Sequence, residues 1–264
     1  MIIVAQQPHY LPWLGFWELI ARADRVVFLD NVQWLKQGGQ RRARLLNGTT
    51  PRWLSIPLIK AKQSDHLGQL QCAAPQSWAM DHWYYIKQCY GSRPYFRSQV
   101  ESILLPFYQE LAHQTDNTDL ISINQKLTFL LAPHLSIECL EAKSLLASEL
   151  NIENKFKTER LIEICRSLGG DVYYSPAGAT KYIDIERFRQ ADIDLFWQRF
   201  QHQSYNQGAN QEFVSHLSVV DALANVPLDH IREMLMPNPW RPIMRREKVL
   251  FHFECLNKSF HQGL

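Results

Sequence analysis

Directly behind the apolar run Ile2-Ile3-Val4-Ala5 stands Gln6-Gln7-Pro8-His9-Tyr10-Leu11-Pro12-Trp13-Leu14-Gly15. Gln7 and Tyr10 can donate or accept hydrogen bonds, and Gly15 permits close approach of a ligand to the backbone. A helix opening behind this loop would offer its N-terminal amides to an anion. The plainer alternative is that Tyr10, Leu11 and Trp13 cap a sheet. A second block, Asp30-Asn31-Val32-Gln33, is followed by Lys36, Gln40, Arg42 and Arg44. On an extended segment Arg42 and Arg44 share one side, where forked guanidinium groups match a phosphate or carboxylate. A solvated basic loop is the competing account. Asp30, His82 and His202 are the candidate catalytic groups, because imidazole and carboxylate exchange protons under mild conditions. Tyr205 and Gln207 follow His202 closely and form a polar cluster with it. No Ser, Cys or acid stands at a spacing that declares a triad, and each histidine taken singly is more often a satisfied core or surface residue. Around Tyr174-Ser175-Pro176-Ala177-Gly178-Ala179-Thr180, Ser175 and the backbone amides could hold a phosphate or hydroxyl, without the spacing of a Walker loop.

Positioning these groups requires a parallel sheet. Ile2–Ala5 reads as a strand buried on both faces. Leu14, Trp17, Leu19, Ile20 and Ala23 recur at helical spacing, and Arg25–Asp30 reads as a second strand. Strand, loop, helix and strand within about thirty residues make a βαβ unit. The carboxyl-end loops of its strands, Gln7 to Gly15 and Asp30 to Arg44, should then line one cleft with His82 at its rim. Residues 36 to 52 are basic with no apolar period, and Trp53–Leu58 reads as a third strand near an edge, because Pro57 cannot donate to a ladder. Helical period covers 78–90, 95–113 and 121–131, so a helical insertion is expected at about 77–150. A helix over 158–168, a strand over 171–175, a helix over 182–190 and a strand over 195–200 restore the α/β order. The expectation is an α/β fold, with a mostly parallel sheet, flanking helices and the helical insertion mid-chain. It forms a single domain over 1–235, followed by a basic, aromatic extension over 236–264. That extension sets Arg241, Arg245, Arg246 and Lys248 among Trp240, Phe251 and Phe253, whose rings favour packing on the core.

The 264 residues are 46% apolar and 20% charged, which excludes collagen-like and low-complexity chains. A net charge of +2 leaves no sequence-wide footprint for nucleic acid. No run approaches the roughly 18 apolar residues of a membrane span. Met1 leads into Ile2–Ala5 without a basic segment, so no secretory signal is expected. Cys72, Cys89, Cys139, Cys165 and Cys255 are scattered and never spaced as C-x-x-C, a pattern of reduced thiols that predicts neither a disulfide frame nor a metal site. The expected setting is the cytoplasm. Cofactor and oligomeric state are left open.

The first loop invites comparison with nucleotidyltransferases and class I synthetases, whose H-x-G-H signature would place histidines where Trp13 and Phe16 stand. The residues that stabilise a phosphate transition state there are absent. Taken together, the segments resemble the WbqC-like protein family over roughly residues 1 to 225. The resemblance is carried by Gln7-Pro8, Tyr10-Leu11-Pro12-Trp13, Gly15, Leu29-Asp30-Asn31-Val32-Gln33, Lys36, Gln40, Arg42, Arg44, Trp53-Leu54 and Pro57. Trp78, His82, Tyr90, Tyr95-Phe96, Thr158-Glu159-Arg160, Ser175, Tyr182, His202, Tyr205, Gln207, Phe213 and Leu217–Asp221 complete it. His9 stands where the family often has Asn, Pro176 where a Gly is usual, Gln203 where a Pro is frequent, and Ala224–Pro227 where Phe-Asn-x-Gly is usual. The resemblance implies a place in O-antigen or other surface-polysaccharide (lipopolysaccharide) biosynthesis. It further implies a transferase adding glycine or another aminoacyl group to a phosphorylated or nucleotide-linked sugar. The rival readings are a non-catalytic scaffold of that pathway and an ATP-using, carboxylate-activating enzyme with a nucleotidyltransferase-like core.

Overall fold

The structure is a computed structural model and describes residues 1–152, 157–208 and 212–236. Ile2–Gln6 (β1) buries both of its faces: Val4 joins one hydrophobic cluster, Ile3 and Ala5 another. Such a strand lies in a sheet covered on both sides. Leu14–Arg22 (α1) returns the chain to Arg25–Phe28 (β2), which pairs with β1 in parallel from Ile3↔Arg25 to Gln6↔Phe28. Asp24 fixes the corner, since its carboxylate accepts the Ile2 N–H at 2.7 Å.

An antiparallel hairpin follows, Arg42–Asn47 (β3) and Thr50–Ser55 (β4), then the short pair Gln71–Cys72 (β5) and Thr118–Asp119 (β6). The helical middle holds Ala79–Tyr90 (α2), a π-helical turn at Phe96–Glu101 running into Ser102–Ala112 (α3), Leu120–Leu131 (α4) and Leu140–Lys143 (α5). Ser144–Leu146 (β7), Thr158–Ser167 (α6), Val172–Ser175 (β8), Ile185–Gln190 (α7) and Asp194–Trp197 (β9) complete the α/β part. Val219–Asn225 (α8) and Leu228–Leu235 (α9) close it.

The main sheet has the order β7-β2-β1-β8-β9, and every pair is parallel. α1 and the helical middle cover one face, and α6 and α7 the other. The protein is an α/β fold with a parallel sheet and flanking helices. The chain builds outward from β1 to β7, then crosses to β8 on the other side of β1. Ligands of such sheets bind beyond the carboxyl ends of the strands at that reversal, here between β1 and β8.

Three local expectations change. Trp53–Leu58 is not a strand of the main sheet: the strand is β4, it ends at Ser55, and it pairs only with β3. Residues 36 to 52 do have an apolar period, because Ala43 and Leu45 are buried beneath the arginines of β3. The turn uses Gly48 at φ +62°, a conformation that costs glycine little. β7 occupies a stretch read as helical, and three residues are too few to show a period. Apart from Met236, the extension at 236–264 lies outside the described residues.

Candidate functional site

At the carboxyl edge of the sheet, residues 198–208 and 212–218 lie against the N-terminus of α1. The Val219 N–H donates to the Pro12 carbonyl at 2.9 Å, and Ser218 bridges to Trp13. The Trp13 indole folds back over Gly15, so that a Cβ there would lie 2.1 Å from the ring. Its other neighbours are His216, His202 and Phe200, at ring-centroid distances of 4.7, 5.3 and 5.6 Å. His202 and His216 are 4.6 Å apart, and His202 Nε2 accepts the backbone N–H of His216 at 3.2 Å. That bond assigns the neutral His202 proton to Nδ1. His216 Nδ1 lies 2.8 Å from Ser215 Oγ, and an Nδ1–H donating there leaves the Nε2 lone pair unused. Arg44 donates to the Ser215 carbonyl at 3.4 Å.

Burial, then the neighbouring His216, pulls the His202 pKa down to about 4. Burial and Arg44 lower that of His216. Both imidazoles are therefore neutral near pH 7. His216 holds φ at +58°, a left-handed conformation rare outside glycine and concentrated at functional sites.

One helical turn deeper, Glu18 is buried. It accepts the Tyr174 hydroxyl at 2.9 and 3.1 Å, Gln198 Nε2 at 2.8 Å, and the Arg22 guanidinium. Gln198 also donates to the Gly15 carbonyl at 2.6 Å. Burial, then Glu18, raises the Tyr174 hydroxyl well above its usual range. These bonds lock the start of α1 to β8 and to the end of β9. The crossing segment has its own anchor in Asp221, fully buried, which accepts the Tyr205 hydroxyl at 2.7 Å and Gln207 Nε2 at 2.9 Å. Gln207 clasps Val214 through both its N–H and its carbonyl, at 2.9 and 3.0 Å. Burial raises the Asp221 pKa, against the pull of those two bonds.

The remaining expected site residues lie elsewhere. His82 is 6% exposed, and its Nδ1 meets the Tyr10 hydroxyl at 2.8 Å. That hydroxyl also meets Tyr108 at 2.5 Å, within the core. Asp30 accepts the Ser148 N–H at 3.0 Å through Oδ1, on the β7 side of β2, with Arg160 in electrostatic reach. Gln7 and Gln40 join their amides, and Asn124 ties the Gln40 and Pro8 carbonyls together at 2.6 and 3.2 Å. Gln33 donates to the Gln63 carbonyl at 2.8 Å, Lys36 is exposed, and Ser175 is buried with its hydroxyl 3.5 Å from the Pro176 carbonyl. Gly15, Arg44 and His202 are thus brought together, and Tyr205 and Gln207 hold the segment that carries His202. His82 and Tyr10 lie inside the core, and Asp30 faces Ser148. Sequence reasoning missed His216, Glu18 and Asp221. A glutamate between Trp17 and Leu19 on an apolar helix was the available signal for Glu18.

Among the described residues no group of three or more His, Cys, Asp or Glu could hold a metal ion, and no helix is long and apolar enough to cross a membrane. Cys72, Cys89, Cys139 and Cys165 are free thiols. The family model described as the WbqC-like protein family matches residues 7–233. The uncharacterized protein Rv1507c of Mycobacterium tuberculosis is 26% identical over 224 residues, which cover 83% of this chain and 91% of that protein. No solved structure matches the chain.

Proposed function

The chain belongs to the WbqC-like protein family, and from that premise we propose that it is a transferase of surface-polysaccharide biosynthesis, adding glycine or another aminoacyl group to a phosphorylated or nucleotide-linked sugar. One observation carries this reading: the neutral His202–His216 pair beside Arg44, over the N-terminus of α1. Acyl transfer needs a base that is free of its proton near neutral pH and donors for the developing oxyanion. His216 Nε2 takes the proton from the acceptor hydroxyl or amine as that atom bonds to the acyl carbon. His202 holds His216 in place through the backbone bond. The donor arrives already activated, and its leaving group departs as the new bond forms. Arg44 holds a phosphate or carboxylate of the substrate.

The test is to incubate the protein with nucleotide-sugars, glycine and ATP and follow the sugars by mass spectrometry. A gain of one aminoacyl residue is expected. An unchanged sugar together with tight capture of another protein of the pathway would replace this reading with a scaffold. The sheet order, with its reversal beside β1 and α1 opening behind it, also favours an enzyme that activates a carboxylate with ATP. Release of pyrophosphate in the same mixture without the sugar acceptor identifies that case.

A further inference from the structure

We propose that the outer face of the β3–β4 hairpin binds a nucleoside diphosphate, with the base stacked on Trp53 and the diphosphate held by Arg42 and Arg44. The proposal rests on the reading above only in taking the substrate to be nucleotide-linked. The hairpin register sets Arg44 opposite Trp53 and Arg42 opposite Ser55, on one face of the ladder. The other face turns Ala43, Leu45 and Leu54 into the core. Trp53 is nevertheless 51% exposed, an unusual state for the largest apolar side chain. The Arg42 guanidinium already lies 4.0 Å above its ring, the geometry in which planar cations and bases stack on indole.

The charge on this hairpin is uncompensated. Among the described residues none of Arg41, Arg42, Arg44 and Arg52 is paired with a carboxylate. Arg41, Arg42 and Arg44 donate to the backbone carbonyls of Ile56, Gln37 and Ser215, which leaves further guanidinium donors for a ligand. Nε of Arg42 is buried without a partner. Arg42 and Arg44 are about 7 Å apart along the strand, a span that two long side chains close over one diphosphate. Arg44 also touches Ser215, so the platform ends at the His202–His216 pair, where the sugar joined to the diphosphate would sit. One exposed indole fits one base, and the net charge of +2 does not favour a nucleic acid.

The experiment is calorimetric titration with inorganic pyrophosphate and with the diphosphates of adenosine, guanosine, uridine, cytidine and thymidine. At least one nucleotide should bind about tenfold or more tightly than pyrophosphate, the contribution of one stacked base. Trp53→Ala should bring that ratio close to one without weakening pyrophosphate binding, and Trp53→Phe should restore part of it. Arg42→Gln with Arg44→Gln should weaken both ligands. The proposal is overturned if no nucleotide binds better than pyrophosphate, if Trp53→Ala leaves the ratio intact, or if a single-stranded oligonucleotide outcompetes every mononucleotide. Nucleotide binding and aminoacyl transfer, measured side by side on the wild type, separate the two readings. Nucleotide binding without transfer in the wild type defeats the transferase, and transfer without a Trp53-dependent ratio defeats only the platform.

Discussion

The Tyr10–His82–Tyr108 cluster and the His202–His216 pair hold imidazoles at the same depressed pKa, about 4 at both His82 and His202, and by the same cause, the loss of water. Their surroundings differ in what they leave available. His82 is sealed by Trp78 and gives its Nδ1 to Tyr10, whose hydroxyl is already shared with Tyr108. The second pair leaves His216 exposed, sets it beside Arg44, and stands where a helix begins. A depressed pKa therefore marks burial in both places. Access and a neighbouring cation distinguish the pair on which the proposed transfer rests.

The largest effect should come from His216→Gln, with turnover falling by about 10²–10⁴, the usual contribution of a positioned base. Its denaturation midpoint should stay near wild type, because the side chain is exposed. His82→Ala should do the reverse. It removes a buried ring and a partner of Tyr10, costing about 2–4 kcal/mol of stability in urea unfolding, with turnover per folded molecule unchanged. If His82→Ala abolishes the proposed transfer in a fully folded protein, the assignment of the two sites is inverted.

Acid sharpens the same contrast. The unfolded chain binds a proton at His82 near pH 6.5, whereas the folded chain does so only near 4. Between those values the unfolded state carries the extra proton, so stability is fully present above about 6.5 and falls as the pH drops toward 4. The loss from His82 approaches about 3 kcal/mol. His9, also lowered to about 4 by burial, adds in the same direction. His202 adds less, since it is only half-buried. Urea midpoints compared between pH 7 and pH 4 should show this slope. His82→Gln should flatten it by about one proton, and His216→Gln should flatten it less, because that side chain is exposed and His216 is lowered in the same direction.

The elements that were legible in the sequence are those whose pattern is local and long enough to repeat. β1, α1 and β2 carry their own periods within the first thirty residues, and α2, α3 and α4 run for eleven or twelve residues with buried positions at helical spacing. The β3–β4 hairpin was obscured because its outer face is cationic and its inner face has few apolar residues. β7 has no room for a pattern. Residue type pointed to Arg44 and His202, and with equal force to His82, whose partner Tyr10 lies 72 positions away. Glu18 meets Tyr174 across 156 positions, a distance over which no spacing in the chain can report contact. The partner of Glu18 was invisible for that reason, whereas Asp221 reaches Tyr205 and Gln207 only 16 and 14 positions away and was missed because a single acid on a seven-residue helix carries no pattern.

The smallest effect is expected at Gly15, where two opposing terms nearly cancel in stability but not in turnover. Alanine favours the helix over glycine by about 1 kcal/mol. Its Cβ would lie 2.1 Å from the far edge of the Trp13 ring, so the indole must swing away from the start of α1. Swinging costs its ring contacts with Phe200, His202 and His216, each worth about 0.5–1.5 kcal/mol when fully formed and less at this half-buried surface. Gly15→Ala should therefore unfold within about 1 kcal/mol of wild type. The His202–His216 pair, however, loses the wall that sets its orientation, and a misplaced base slows transfer even when its pKa is right. Turnover should fall about tenfold while the acid slope set by His82 stays the same. A Gly15→Ala variant with wild-type turnover would show that Trp13 only covers the helix end, and the comparison would then rest on His216 and Arg44 alone.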